Sequence, residues 1–183
     1  MKANQKQGLN ITCFRFSESD EKPFSSRYKK YFDTVASIAT LHHFDNRSKN
    51  TGTSGRTRAM AEFYRVLKPG GKLVLADPIH GTITQRYFDR IDNPRYCHPD
   101  GHPHDFFTIE QLHDTVSEGG FVDIHIQVLS TPWRFDSEQS AQSFVNTIHN
   151  AQCSPQESLE VAKEMLGFQK IGDHYELGWE LFF

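Results

Sequence analysis

Two stretches decide how this chain folds: Tyr31-Phe-Asp-Thr-Val-Ala-Ser-Ile-Ala-Thr-Leu-His-His-Phe44 and Glu62-Phe-Tyr-Arg-Val-Leu-Lys-Pro-Gly-Gly-Lys-Leu-Val-Leu-Ala-Asp77. Together they read as strand, helix, strand. Residues 35–41 carry apolar side chains on both faces, as a strand covered by helices on both sides of a parallel sheet requires. That strand is expected at the centre of the sheet, ending in a polar Leu-His-His edge. Within 57–67, Ala59, Phe63, Val66 and Leu67 recur at helical spacing and define a buried stripe. Pro69 is expected to stop this helix, with Gly70 supplying the left-handed residue many helix ends need. A new strand, 72–76, follows at once and ends at Asp77-Pro78. Polar groups at the carboxyl ends of strands in an open α/β sheet are where such folds bind ligands.

Reading outward, residues 1–10 are polar, 11–16 have the β-branched and aromatic content of a short strand, and 17–30 form a polar loop around Pro23. The Asn, Ser, Thr and Gly content of 45–56 marks another loop. Residues 80–105 are rich in aromatics, His and Pro. They suggest a lid or insertion containing a short helix at 83–91, with prolines that argue against a regular core element. Thr108 with Gln111 forms a capping box for a helix that Gly119-Gly120 ends. Val122, Ile124, Ile126 and Val128 alternate as in a half-buried strand over 121–130. Ser137 or Asp136 caps a helix reaching about residue 150, and Ser154 with Glu157 caps another through Leu166, closed by Gly167. Residues 175–183 read as a last strand, an edge or hairpin partner of 121–130. There is no internal repeat.

The length, 183 residues, suits one domain, and 37% hydrophobic content is compatible with a packed core. A formal charge of −3 leaves no electrostatic footprint for nucleic acid or an anionic membrane. Cys13, Cys97 and Cys153 are odd in number and widely spaced, which suits reduced thiols in the cytoplasm better than a secreted disulfide framework. No apolar stretch approaches the ~20 residues that span a bilayer, and the first residues lack a signal-peptide core. The expectation is a cytoplasmic protein with a small-molecule substrate and no nucleic-acid or membrane partner.

The central block Phe32-Asp-x-Val35, Leu41-His-His43 and Glu62-x-x-Arg-Val-Leu-Lys-Pro-Gly-Gly71 resembles class I S-adenosylmethionine-dependent methyltransferases of the type 11 kind. That resemblance implies an α/β fold, a partial Rossmann-like methyltransferase sheet with flanking helices and an antiparallel C-terminal strand. It covers nearly the whole chain but only the latter portion of a complete member. Complete members order their strands 3-2-1-4-5-7-6, and here strands one and two, with the glycine-rich cofactor turn, are missing. The reading is thus a single domain, 1–183, truncated at its N-terminus. Thr51-Gly-Thr-Ser-Gly55 reads as an insertion in preference to a nucleotide loop. Either the 11–16 strand fills the vacant place beside 35–41, or the open edge invites a homodimer.

By the same resemblance, Ser17-Glu-Ser-Asp-Glu-Lys-Pro-Phe24 is similar to the family's adenine-binding segment. Glu18 is implied to accept a hydrogen bond from the adenine amino group, with Ser19 offering its backbone N–H. Thr40 and Leu41 are implied on the cofactor side and Asp77 and His80 on the substrate side. His42 and His43 are the catalytic candidates: with the ordinary histidine pKa of about 6.5, they suit a general base or an acceptor-positioning role. Alternatively one caps the strand end and the other packs beneath the lid. Asp77 likewise faces the substrate or bonds the turn at Pro78. Cys97-His-Pro-Asp-Gly-His-Pro-His-Asp105 holds metal-ligand atom types without an established spacing, and reads as a substrate-facing lid with no metal. Tyr87, Phe88, Tyr96, Phe106, Phe107 and Trp133 line either an acceptor pocket or the core. Two functions follow: an S-adenosylmethionine-dependent methyltransferase with a small-molecule acceptor, or a catalytically inactive remnant serving as a binding protein.

Overall fold

A computed structural model describes residues 28–44, 54–96 and 105–183 of the chain. The expected 11–16 strand, Glu18, Ser19, Thr51 to Thr53 and most of the His-rich segment lie outside the described residues. Strand β1, Phe32–Ile38, runs parallel to β2, Leu67–Ala76, with helix α1, Gly55–Val66, crossing between them. Ser54 caps α1, its side chain accepting from the Thr57 N–H. The stripe Ala59, Phe63, Val66 is buried as its spacing requires. The parallel register pairs Val35 with Leu73 and Ser37 with Leu75 on the inner face, and Thr34 with Lys72, Ala36 with Val74 and Ile38 with Ala76 on the outer one.

Two details depart from the expected unit. Helix α1 ends at Val66 because Leu67 is already extended (ψ 142°) and starts β2. Pro69 and Gly70 (φ 75°) therefore do not close a helix; they sit in a bulge between the Phe32–Leu67 and Thr34–Lys72 pairs. A Cβ on Gly71 would come within 2.9 Å of the Lys68 carbonyl oxygen and 3.1 Å of that of Asp33, so the bulge admits only glycine there without a shift. Strand β1 also stops at Ile38, three residues short of expectation, where Ala39 adopts φ 48° and Leu41–His43 wind into a single 3₁₀ turn.

Helix α2, Ile83–Ile91, forms where expected, capped by Thr82, but it is no loose insertion. Its Tyr87, Phe88 and Ile91 are buried against Leu159, Val161 and Trp179. The nearby prolines lie outside it, so its amphipathic run packs as a core element. Helix α3, Ile109–Glu118, has the reciprocal Thr108–Gln111 capping box. The 121–130 run pairs only at its end, as β3, Val128–Ser130; upstream, Ile124 and Ile126 pack inward while Val122 stays exposed. Strand β4, Trp133–Phe135, precedes α4, Glu138–Ile148, which is capped by Ser137, and α5, Pro155–Leu166, which is capped by Ser154. Glu157 does not complete a box there; its carboxylate takes Arg95 at 2.8 Å instead.

The expected final strand is in fact two. Strands β5, Phe168–Ile171, and β6, His174–Leu177, form a hairpin on which β4 pairs, order β4-β6-β5, and β7, Glu180–Phe182, leaves for the other sheet. There β7 pairs antiparallel with β3, and the Phe182 N–H donates to the Asp77 carbonyl at 3.0 Å. The bridge between Asp77 and Phe182 thus seats β7 between the end of β2 and β3. The spatial sequence β1, β2, β7, β3 with β7 reversed is the 4-5-7-6 side of the strand order given above. One apolar cluster lies between this sheet, α1 and α3; the other joins α2, α4, α5 and the small antiparallel sheet.

Candidate functional site

The carboxyl ends of β1 and β2 meet at one buried carboxylate. Asp77, 1% exposed, follows β2 directly and reaches across to the turn that follows β1. Its Oδ2 accepts the backbone N–H of Thr40 at 2.8 Å and of Leu41 at 2.7 Å. Its Oδ1 lies 2.5 Å from His42 Nδ1. These bonds explain why β1 ends early: the first N–H groups of a helical turn need acceptors, and Asp77 supplies them in place of another strand. Leu41 then drops into the core with no exposed surface, anchoring the turn with the ~1.5–3 kcal/mol that burial of such a side chain contributes.

His42 is buried, with its ring centroid 5.5 Å from Phe106 and 6.5 Å from Phe88, which meet each other edge to face at 5.0 Å. His43 lies against it at 4.1 Å, the two rings tilted by 38°, and turns outward. Partial burial holds the His43 imidazole below its ordinary value, and His42 adds to the depression while Asp77 opposes it. Arg56, buried at the start of α1, lies over the Phe107 ring at 4.1 Å, donates to the Asp105 carbonyl and faces the Asp105 carboxylate at 3.5 Å. Burial lowers its pKa, against the pull of Asp105 and Asp77.

The structure therefore joins Thr40, Leu41, His42, His43 and Asp77 in one constellation. His80 stands apart: exposed in the turn after Ile79, it is tied by its N–H to the Phe107 carbonyl at 2.8 Å. Glu18 and Ser19 lie outside the described residues. Of the aromatics, Phe106 and Phe88 adjoin His42, whereas Trp133 is remote from it, against Phe144 and Trp179. Arg56 was absent from the sequence-based candidates; a lone arginine in a polar loop carries no periodic signal, and only the fold shows it buried. Among the described residues no group of three or more His, Cys, Asp or Glu side chains could hold a metal ion. None of their helices is long and apolar enough to cross a membrane.

Comparison with known proteins bears on this arrangement. Residues 2–75 match the family model described as a methyltransferase domain. No curated protein matches the sequence. Among solved structures, a candidate methyltransferase from Bacillus halodurans C-125 superposes with a TM-score of 0.50 at 16% identity, over 84% of this chain and 68% of that one. A SAM-dependent methyltransferase from Thermotoga maritima aligns with a TM-score of 0.40 at 20% identity, covering 57% of this chain and 43% of its own. The Haemonchus contortus phosphoethanolamine N-methyltransferase 2, in complex with phosphomonomethylethanolamine and S-adenosylhomocysteine, aligns with a TM-score of 0.41 at 17% identity, over 85% of this chain and 33% of its own. This chain thus spans between a third and two thirds, or slightly more, of those proteins. The first part of the chain is thus similar to a methyltransferase domain, and its α/β sheet shares the fold of the Bacillus halodurans structure.

Proposed function

We propose that the chain works as an S-adenosylmethionine-dependent methyltransferase on a small-molecule acceptor, in the cytoplasm, at the carboxyl ends of β1 and β2. One observation carries the reading: Asp77 ties the Leu-His-His turn to the neighbouring strand end, so two imidazoles and a carboxylate converge where open α/β sheets bind ligands. The residues fit a sulfonium cofactor. The Phe88 and Phe106 rings beside His42 are of the kind whose faces attract a cation. Because Asp77 already takes their N–H groups, Thr40 and Leu41 would hold the cofactor through carbonyl oxygens, with Glu18 and Ser19 at its adenine. When bound, the group supplies an activated methyl. The chain's own part is to orient the acceptor, exclude water and take up a proton at His42 or His43.

Calorimetric titration with S-adenosylmethionine and its demethylated product tests this. Micromolar binding, about −8 kcal/mol, is expected, weakened by Glu18→Ala. Absence of binding for both compounds overturns it and favours a second reading, a binding protein that pairs with a second copy of itself. That reading draws on the outer edge and face of β1, where Ile38 is 61% and its neighbour Val74 42% exposed.

A further inference from the structure

Strand β3 lies at the edge of the sheet away from β1. Gln127 and Phe183 exchange both backbone hydrogen bonds, at 2.9 and 2.8 Å, and the Thr131 N–H donates to the Trp179 carbonyl at 2.8 Å. Backbone groups alternate in direction along such an antiparallel ladder. Those of Gln127, Leu129 and Thr131 therefore face β7, and those of Ile126, Val128 and Ser130 face outward. Among the described residues no strand pairs with β3 on that side. Helix α3 runs alongside: its Ile109, Glu110, His113 and Asp114, with Ile124 and Ile126 from the segment leading into β3, enclose a groove of about 360 Å³. The apolar part of its lining is isoleucine, and Ile109 at 49% and Val128 at 39% leave aliphatic surface in water.

The charge of this face has one sign. From Tyr96 to Trp133 the sequence contains neither lysine nor arginine, so all 20 of them lie elsewhere, while α3 and the turn after it carry Glu110, Asp114, Glu118 and Asp123, all exposed. We propose that the groove between α3 and the outer edge of β3 docks an extended, basic segment of a partner protein, which adds to β3 as a further strand and seats an aliphatic side chain among Ile109, Ile124 and Ile126. Main-chain bonds to Ile126, Val128 and Ser130 supply affinity, and side chains at alternate positions of the segment supply specificity. Lysine or arginine beside the anchor meets Glu110 and Asp114, which speeds association and rejects acidic partners. The same carboxylates repel a nucleic-acid strand. The groove uses none of His42, His43 or Asp77, so it does not depend on the methyltransferase reading.

The test titrates the whole chain with fluorescent peptides and reads anisotropy: alternating leucine and lysine, alternating leucine and glutamate, and the lysine peptide with a central proline. The lysine peptide is expected to bind with a micromolar dissociation constant that weakens as salt is added, and the other two roughly tenfold or more weakly. Val128→Pro removes an outward N–H that β7 does not use, and Asp114→Lys reverses a charge whose side chain is 75% exposed. Each is expected to weaken the lysine peptide roughly tenfold with the far-ultraviolet circular dichroism unchanged. Amide spectra of the wild type give a readout that needs no variant: Ile126, Val128 and Ser130 should shift, and their N–H groups gain protection from exchange, as the peptide binds. Equal binding of the glutamate peptide, no saturable binding of the lysine peptide, or shifts confined to other strands overturns the proposal. Shifts at β3 that grow with protein concentration in the absence of peptide assign the edge to a second copy of the chain, and overturn it as well.

Discussion

His42 and His43 are chain neighbours with opposite surroundings. The first is locked to Asp77 inside the protein; the second covers it from outside and is kept short of its normal basicity by partial burial, then by His42. The depressed value has a definite sign in stability. Above pH 6.5 the folded and unfolded states both carry a neutral His43; as pH falls below 6.5 the unfolded chain takes the proton first and stability declines until the folded value is passed. Thermal midpoints measured across this range should fall on the acid side, and His43→Gln should flatten the slope. Half-buried His174 runs the other way: Asp173 and Glu176 raise it, so its contribution is present below pH 6.5 and fades as pH rises through the raised value. For Asp77→Ala, the buried N–H of Leu41 and the part-buried N–H of Thr40 lose their acceptor. A loss on the order of 3 kcal/mol is expected by urea unfolding, with the midpoint shifting and the slope unchanged.

At the scale of elements, local chemistry and tertiary packing divide the work visibly. The caps at Thr108, Ser137 and Ser154 were all legible, because a hydroxyl three residues from its N–H partner is a contact within one turn. Thr108→Ala should cost about 1 kcal/mol in the same assay. The Glu157 part of the second box was not legible, since Arg95, far away in sequence, outcompetes the cap. Helix α2 shows the same division: its bounds could be read, its burial could not. Phe88→Ala, which would empty space among Phe106, His149 and Trp179, should cost roughly 3–5 kcal/mol; a loss below 1 kcal/mol would return α2 to the status of a peripheral lid.

At the scale of the molecule, β1 is the element whose surroundings stand out. A parallel strand is ordinarily covered on both faces, yet Thr34, Ala36 and Ile38 are exposed on one. Among the described residues β1 pairs on its β2 side alone, its one charge, Asp33, meets Lys68 at 2.7 Å, and the strand has no proline or lysine of the kind that blunts an edge. Light scattering behind gel filtration should show mass rising with concentration, and Ile38→Lys should hold the protein monomeric. Monomer at every concentration for the wild type would mean that the edge recruits no second copy.

The sequence by itself determined the strand-helix-strand unit, the capped helices, the likeness to the methyltransferases and the cluster Leu41, His42, His43, Asp77 as a place of interest, because each is written in short-range periodicity or in adjacent residues. Tertiary structure decided the rest. It turned Leu-His-His from a strand end into a 3₁₀ turn, through a carboxylate 35 to 37 residues away. It also split the final strand so that β7 seats beside Asp77 while β6 joins a separate hairpin. The physical reason is common to both: a backbone N–H or a strand edge is satisfied by whichever acceptor the fold brings within reach, and that partner is distant in sequence.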